Sequence, residues 1–203
     1  RYPNVYLDHA DAYTRIIDEV GRRGAFIMQA DLDTFEQRIA TYTGAKYAVG
    51  VANATDGLQI GLMAADLPAG SEVIICSHTM IATAAAIHFA GLKPVPVDVA
   101  EDGLIDILAI DSAITSNTSA IMPTQLNGRT ADMDAISDIA NKNDVKVFED
   151  AAQALGSRFK DQCAGTFGVA SAISFYPAKT LGCLGDGGIV LTNDDSVYER
   201  LLL

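Results

Sequence analysis

One lysine in this chain sits where an amine can be made reactive. A β-rich run from Val169 to Phe175 stops at Pro177, and the chain continues as Ala178-Lys179-Thr-Leu-Gly-Cys-Leu-Gly185-Asp-Gly-Gly188 before a second β-rich run, Ile189 to Thr192. Gly182, Gly185, Gly187 and Gly188 allow backbone to pass close to a bulky neighbour or to adopt positive φ. An amine held in such a crowded pocket loses charge readily and becomes a nucleophile toward a carbonyl. The competing reading is a structural glycine-rich turn that carries a surface lysine.

A second segment bears on that choice. Val145-Lys-Val-Phe-Glu-Asp150 is a short apolar strand ending in paired carboxylates, followed by Ala151-Ala-Gln153-Ala-Leu-Gly156. On an extended strand Glu149 and Asp150 point to opposite faces, so one of them at most can meet a given ligand. A carboxylate at one strand end and an amine at a neighbouring one suit pyridoxal phosphate, with the lysine on the aldehyde and the carboxylate on the ring nitrogen.

The segments Glu149-Asp-Ala-Ala-Gln-Ala, Ser174-Phe-Tyr-Pro-Ala-Lys-Thr-Leu-Gly and Gly185-Asp-Gly-Gly closely resemble the DegT/DnrJ/EryC1/StrS family. Its members are pyridoxal-phosphate-dependent aminotransferases acting on nucleotide-linked keto-sugars, and the resemblance runs over essentially the whole chain. It implies an α/β fold: the three-layer α/β/α large domain of fold-type-I enzymes, with a mostly parallel central sheet. It implies catalytic roles for Lys179 and Asp150, leaving Glu149 structural. It also implies cofactor contacts from Gln153 near the ring hydroxyl, from Ser174, Thr55 and the Asp56 amide at the phosphate, and from Met80, which stands where the family commonly has a stacking aromatic residue. The implied reaction is ping-pong transfer from an amino acid, L-glutamate, in a homodimer. The chain would then be the cofactor domain, with a helical segment over about 1–45, a sheet core over about 46–203, and a small carboxyl-terminal domain lying outside it. Two alternatives stand beside this: a sugar dehydratase, against which Lys179 speaks because related dehydratases carry histidine there, and a non-catalytic cofactor-binding regulator.

These residues need a scaffold, and the chain's patterning supplies one. At 203 residues it can form a substantial core, and 49% hydrophobic with 20% charged residues is ordinary for a globular α/β protein. Tyr13, Ile16, Ile17 and Val20 predict a helix ending at Gly21 to Gly24, and a second is expected over Asp33–Tyr42. Strands are expected at Lys46–Ala52, Glu72–Cys76, Pro94–Asp98, Ser119–Met122 and Val145–Glu149. Helices are expected at Asp56–Ala65, Thr79–Ala90, Leu104–Ala113 and Met133–Lys142, with another starting after Thr192. Such alternation implies a parallel sheet covered on both faces, with ligands at the carboxyl ends of its strands.

Three further segments fall at such ends. Asn53-Ala-Thr55-Asp56-Gly57 opens a helix, whose amides form an anion site; plain capping by Thr55 or Asp56 is the other reading. Ser77-His78-Thr-Met80 follows a strand, and His78 is either a pocket residue on the substrate side or a structural histidine. The segment Pro123-Thr-Gln-Leu-Asn127-Gly-Arg129 follows another strand end and either lines the substrate side, with Asn127 as its candidate, or is an ordinary loop. A net charge of −12 disfavours nucleic acid and anionic membranes as partners. Cys76, Cys163 and Cys183 form no CxxC, and with no histidine cluster neither a zinc site nor a disulfide framework is expected. No apolar run is long enough to span a membrane, and a cytoplasmic location is expected. The first strand lacks a following GxGxxG, and no GxxxxGK[ST] occurs, which removes nicotinamide and P-loop fingerprints.

Overall fold

The computed structural model describes residues 2–203. Two helices, α1 (Tyr2–Leu7) and α2 (Ala10–Arg23), stand at the start. α2 buries none of its residues, and it ends where Gly24 takes a left-handed conformation that closes the last turn. α3 (Ala30–Thr43) starts ahead of the expected Asp33 and sends Ile39 into the core.

Strand and helix then alternate as expected. β1 (Tyr47–Val51) leads to α4 (Ala54–Ala64), β2 (Glu72–Cys76) to α5 (Ile81–Phe89) and β3 (Lys93–Val97) to α6 (Ile107–Ala113). β4 (Thr118–Met122) passes through a 3-10 turn at Leu126–Gly128 to α7 (Met133–Asn143), which is followed by β5 (Lys146–Asp150). α6 starts later than the expected Leu104, because Ile105 is extended against Val99 and the Asp106 carboxylate caps the helix at the Leu108 N–H. A small hairpin, β6 (Arg158–Phe159) and β7 (Gln162–Cys163), was not expected; β8 (Ala170–Ser174), β9 (Gly188–Thr192) and α8 (Asp195–Leu201) follow.

The seven-stranded sheet has the order β1-β9-β8-β5-β4-β2-β3. The pairs from β8 through β3 are parallel, and β9 runs antiparallel to both β1 and β8. Parallel neighbours need a crossover, usually a helix. Between β8 and β9 the chain offers only the glycine-rich loop, so it turns straight back. That reversal brings the start of β9 to the edge of the sheet where the parallel strands end.

Alternating side chains divide the core between two faces. Val73, Ile75, Met122, Phe148, Ala172 and Val190 pack with Leu58, Leu62 and Ile87 of α4 and α5 on one side. Ile74 and Ile121 meet Ile110 and Ile136 of α6 and α7 on the other, where Ile173, Ile189 and Leu191 meet Ile39 of α3. Phe148 and Asp150 share the α4/α5 face with Ala172 and Ser174; Glu149 takes the opposite one.

Candidate active site

Asp150 ends β5 only 5% exposed, and its carboxylate looks toward α5. Oδ2 accepts from the Thr83 hydroxyl at 2.5 Å and Oδ1 from the Ala152 amide at 3.2 Å. Burial pushes this carboxyl above its ordinary range, while Thr83, the Ala152 amide and the Lys179 charge draw it back. Lys179 stands half-buried in the loop after β8, and its own amide closes a turn on Tyr176 O at 2.8 Å. The loop is tied to itself: Phe175 N–H donates to Gly187 O, and Cys183 N–H and Sγ both donate to Phe175 O. Asp150 and Lys179 line one cavity of about 730 Å³, a size usual for cofactor sites.

The α4 end of this cavity is rich in donors. Asn53, Ala54, Thr55, Asp56 and Ser174 all line it. Asn53, rather than Thr55 or Asp56, caps α4: its Oδ1 accepts from the Asp56 N–H at 2.9 Å, and its Nδ2 donates to Asp56 Oδ2 at 2.9 Å. The Asp56 amide is therefore engaged inside the protein. The amides of Ala54 and Thr55, in the first turn, have no carbonyl within the helix to bond. β9 presses against this turn at Gly188, where a Cβ would lie 2.5 Å from the Asn53 carbonyl carbon and 2.7 Å from Ala54 N. A glycine is needed there so that backbone can meet backbone.

Gln153 and Met80 complete the expected set in the cavity. Gln153 Oε1 accepts from the Asn127 N–H at 3.1 Å, which leaves its amide NH₂ as the group to offer a ligand. Asn127 itself, in a left-handed conformation (φ 54°), is outside the cavity lining, as is His78, which lies 3.3 Å from Gly103 O. Glu149, on the other face, is fully buried and accepts from Gln125 Nε2, Gly165 N–H and Phe167 N–H at 2.8 Å each. Sequence reasoning gave Thr79, Tyr176 and Asp186 no role, yet all three line the cavity, as does Thr124 of the segment expected on the substrate side. Tyr176 and Asp186 lie inside the lysine motif already singled out; Thr79 precedes the extended Met80 that caps α5, and its hydroxyl lies 2.7 Å from that of Thr83 in the first turn of the helix. Cys183 lies on the far side of the lysine loop, in a neighbouring hollow that Lys179 also borders. No group of metal-binding side chains occurs among the described residues.

Residues 8–203 match the model of the DegT/DnrJ/EryC1/StrS aminotransferase family. The chain belongs to that family. Among curated relatives, it is 43% identical over 187 residues to a "pleiotropic regulatory protein" of Geobacillus stearothermophilus, covering 92% of this chain and 50% of the relative. It is 41% identical to dTDP-3-amino-3,4,6-trideoxy-alpha-D-glucose transaminase of Streptomyces venezuelae, over 98% of this chain and 52% of that protein. The crystal structure of S. venezuelae DesV in complex with a ketimine intermediate superimposes with a TM-score of 0.94 at 39% identity, covering 99% of this chain and 54% of that one. The chain thus spans about half the length of the DegT/DnrJ/EryC1/StrS relatives it matches.

Proposed function

We propose that this chain forms the cofactor-binding part of a pyridoxal-phosphate-dependent aminotransferase that moves an amino group from an amino acid, L-glutamate, to a nucleotide-linked keto-sugar. The observation that carries this reading is the single cavity in which the Lys179 amine, the Asp150 carboxylate and the donor-rich start of α4 come together. Its donor set fits the cofactor. Thr55 and Ser174 hydroxyls and the first-turn amides of α4 would hold the phosphate. Gln153, with its NH₂ unspent, would meet the ring hydroxyl, and the exposed thioether of Met80 would lie against the ring. Bound there, pyridoxal phosphate supplies an electron sink for negative charge developing beside the transferred nitrogen. Asp150 would hold a proton at the ring nitrogen, because a neighbouring carboxylate favours the cation. Lys179 would hold the aldehyde carbon and, once displaced by the donor, carry a proton on Nζ between the two carbons that exchange it.

The transaminase named among the relatives supports the substrate class, and the same resemblance supports a homodimer. Met80 and Ile81, 64% and 78% exposed, leave apolar surface where α5 meets the cavity, which a second subunit would cover. Two experiments on the full-length protein test the reading. Adding L-glutamate should convert bound pyridoxal phosphate to pyridoxamine phosphate; a protein that binds the cofactor without converting it is a regulator, not this enzyme. Lys179→Ala should lower amino transfer by at least about 10⁴-fold and remove the borohydride-reducible visible absorbance. An active, coloured variant would overturn the assignment.

A further inference from the structure

Three hydroxyls run in line from the cavity wall to Asp150. Thr124 Oγ1 donates to Thr79 Oγ1 at 2.9 Å, the Thr79 and Thr83 hydroxyls lie 2.7 Å apart, and Thr83 Oγ1 donates to Asp150 Oδ2 at 2.5 Å. Each hydroxyl has a single proton. Thr83 gives its own to the carboxylate and Thr124 gives its own to Thr79, so the Thr79 proton points at Thr83. The three dipoles therefore align head to tail, positive ends toward Asp150, and each polarises the next. Thr79 and Thr124 line the cavity, whereas Thr83 is fully buried on α5. The backbone holds both ends of the line. Thr124 bridges to Asp150 alongside it, Gln125 N–H donates to Asp150 O, and Asp150 N–H donates to Pro123 O.

We propose that Thr83, backed by Thr79 and Thr124, is a positioning residue that orients the Asp150 carboxylate and keeps it ionised to face a cation in the cavity. The proposal rests on the pyridoxal-phosphate reading, which makes that cation the protonated ring nitrogen. Burial alone drives the carboxyl toward its neutral form, and among the groups opposing burial the Thr83 hydroxyl acts most strongly. Of the other charged groups lining the cavity, Lys179 favours the ionised form, and Asp56 and Asp186 oppose it.

Thr83→Val removes the hydroxyl at nearly constant volume, and Thr83→Ser keeps it. Infrared difference spectra of the full-length protein, each taken against the matching Asp150→Asn variant, read the protonation of Asp150 with or without cofactor. The protonated-carboxyl band should persist to a pH about one to two units higher in Thr83→Val than in wild type, the effect of losing one hydrogen bond to a charged group. Thr83→Ser should restore it, and pyridoxal phosphate retention should fall about tenfold in Thr83→Val alone. If Thr83→Val does not fold, Thr79→Val, which deprives Thr83 of its own donor, should move the band the same way by a smaller amount. An unmoved band, or a shift that serine does not reverse, overturns the proposal. A wild-type protein that takes up no pyridoxal phosphate would sink the cofactor reading, while the cofactor-free spectra would still decide the role of Thr83.

Discussion

Glu149 and Asp150 are adjacent carboxyls with unlike surroundings, because a strand sends successive side chains to opposite faces. Asp150 meets two donors and a cavity; Glu149 is closed in by the Gln125, Gly165 and Phe167 donors and lines no cavity with Asp150. Glu149→Gln would put an NH₂ among those donors and leave at least one buried N–H unpaired. The expected cost is about 2–4 kcal/mol, a drop in melting temperature of roughly 4–16 °C by calorimetry. A variant as stable as wild type would contradict this account. The division between the two carboxyls was legible in the sequence, since it needs only the strand. The partners of Glu149 were not, because Gly165 and Phe167 reach it through the unexpected β6–β7 hairpin and the loop beyond it.

At the scale of elements, the phosphate end of the cavity depends on how closely β9 approaches α4. The Gly188 Cα lies over the Asn53–Ala54 peptide, and a methyl group there would strike backbone atoms that cannot rotate away. Gly188→Ala should cost about 1–3 kcal/mol through overpacking, read as a lower urea midpoint at unchanged slope. It should also weaken pyridoxal phosphate binding, measured by fluorescence titration; unaltered stability and affinity would show that the strand can shift at no cost. A helix starting near Asp56 was foreseeable. Its cap was not, because Asn53, Thr55 and Asp56 all carry suitable side chains and only backbone conformation selects among them. Asn53 is extended (φ −164°, ψ 170°), with Thr55 and Asp56 already inside the helix.

For the whole molecule, two buried carboxyls near the middle of one sheet shape how stability varies with pH. Burial raises the Asp150 carboxyl above its ordinary 3.8 in the cofactor-free fold. Between those two values the folded state holds more protons than the unfolded one, so this group's contribution falls as pH rises from about 4 into the raised range. Asp150→Asn abolishes that titration. The stability of wild type minus that of Asp150→Asn, followed by urea unfolding, should therefore shrink as pH rises through this window; a flat or rising difference would refute it. By itself the sequence determined the βα alternation, the buried faces and the motifs at strand ends, because side-chain period and turn chemistry are local. It also marked Lys179, Asp150, Gln153, Ser174 and Thr55 as residues to watch. Only the tertiary structure decided that β9 runs backward, that Asn53 occupies the Asp56 amide, and that Thr124, Thr79 and Thr83 line up on Asp150. The cap rests on the extended backbone of Asn53. The hydroxyl line joins Thr79 and Thr83 to Thr124 and Asp150, far along the chain, and only the packing of α5 on the sheet brings these within hydrogen-bonding reach.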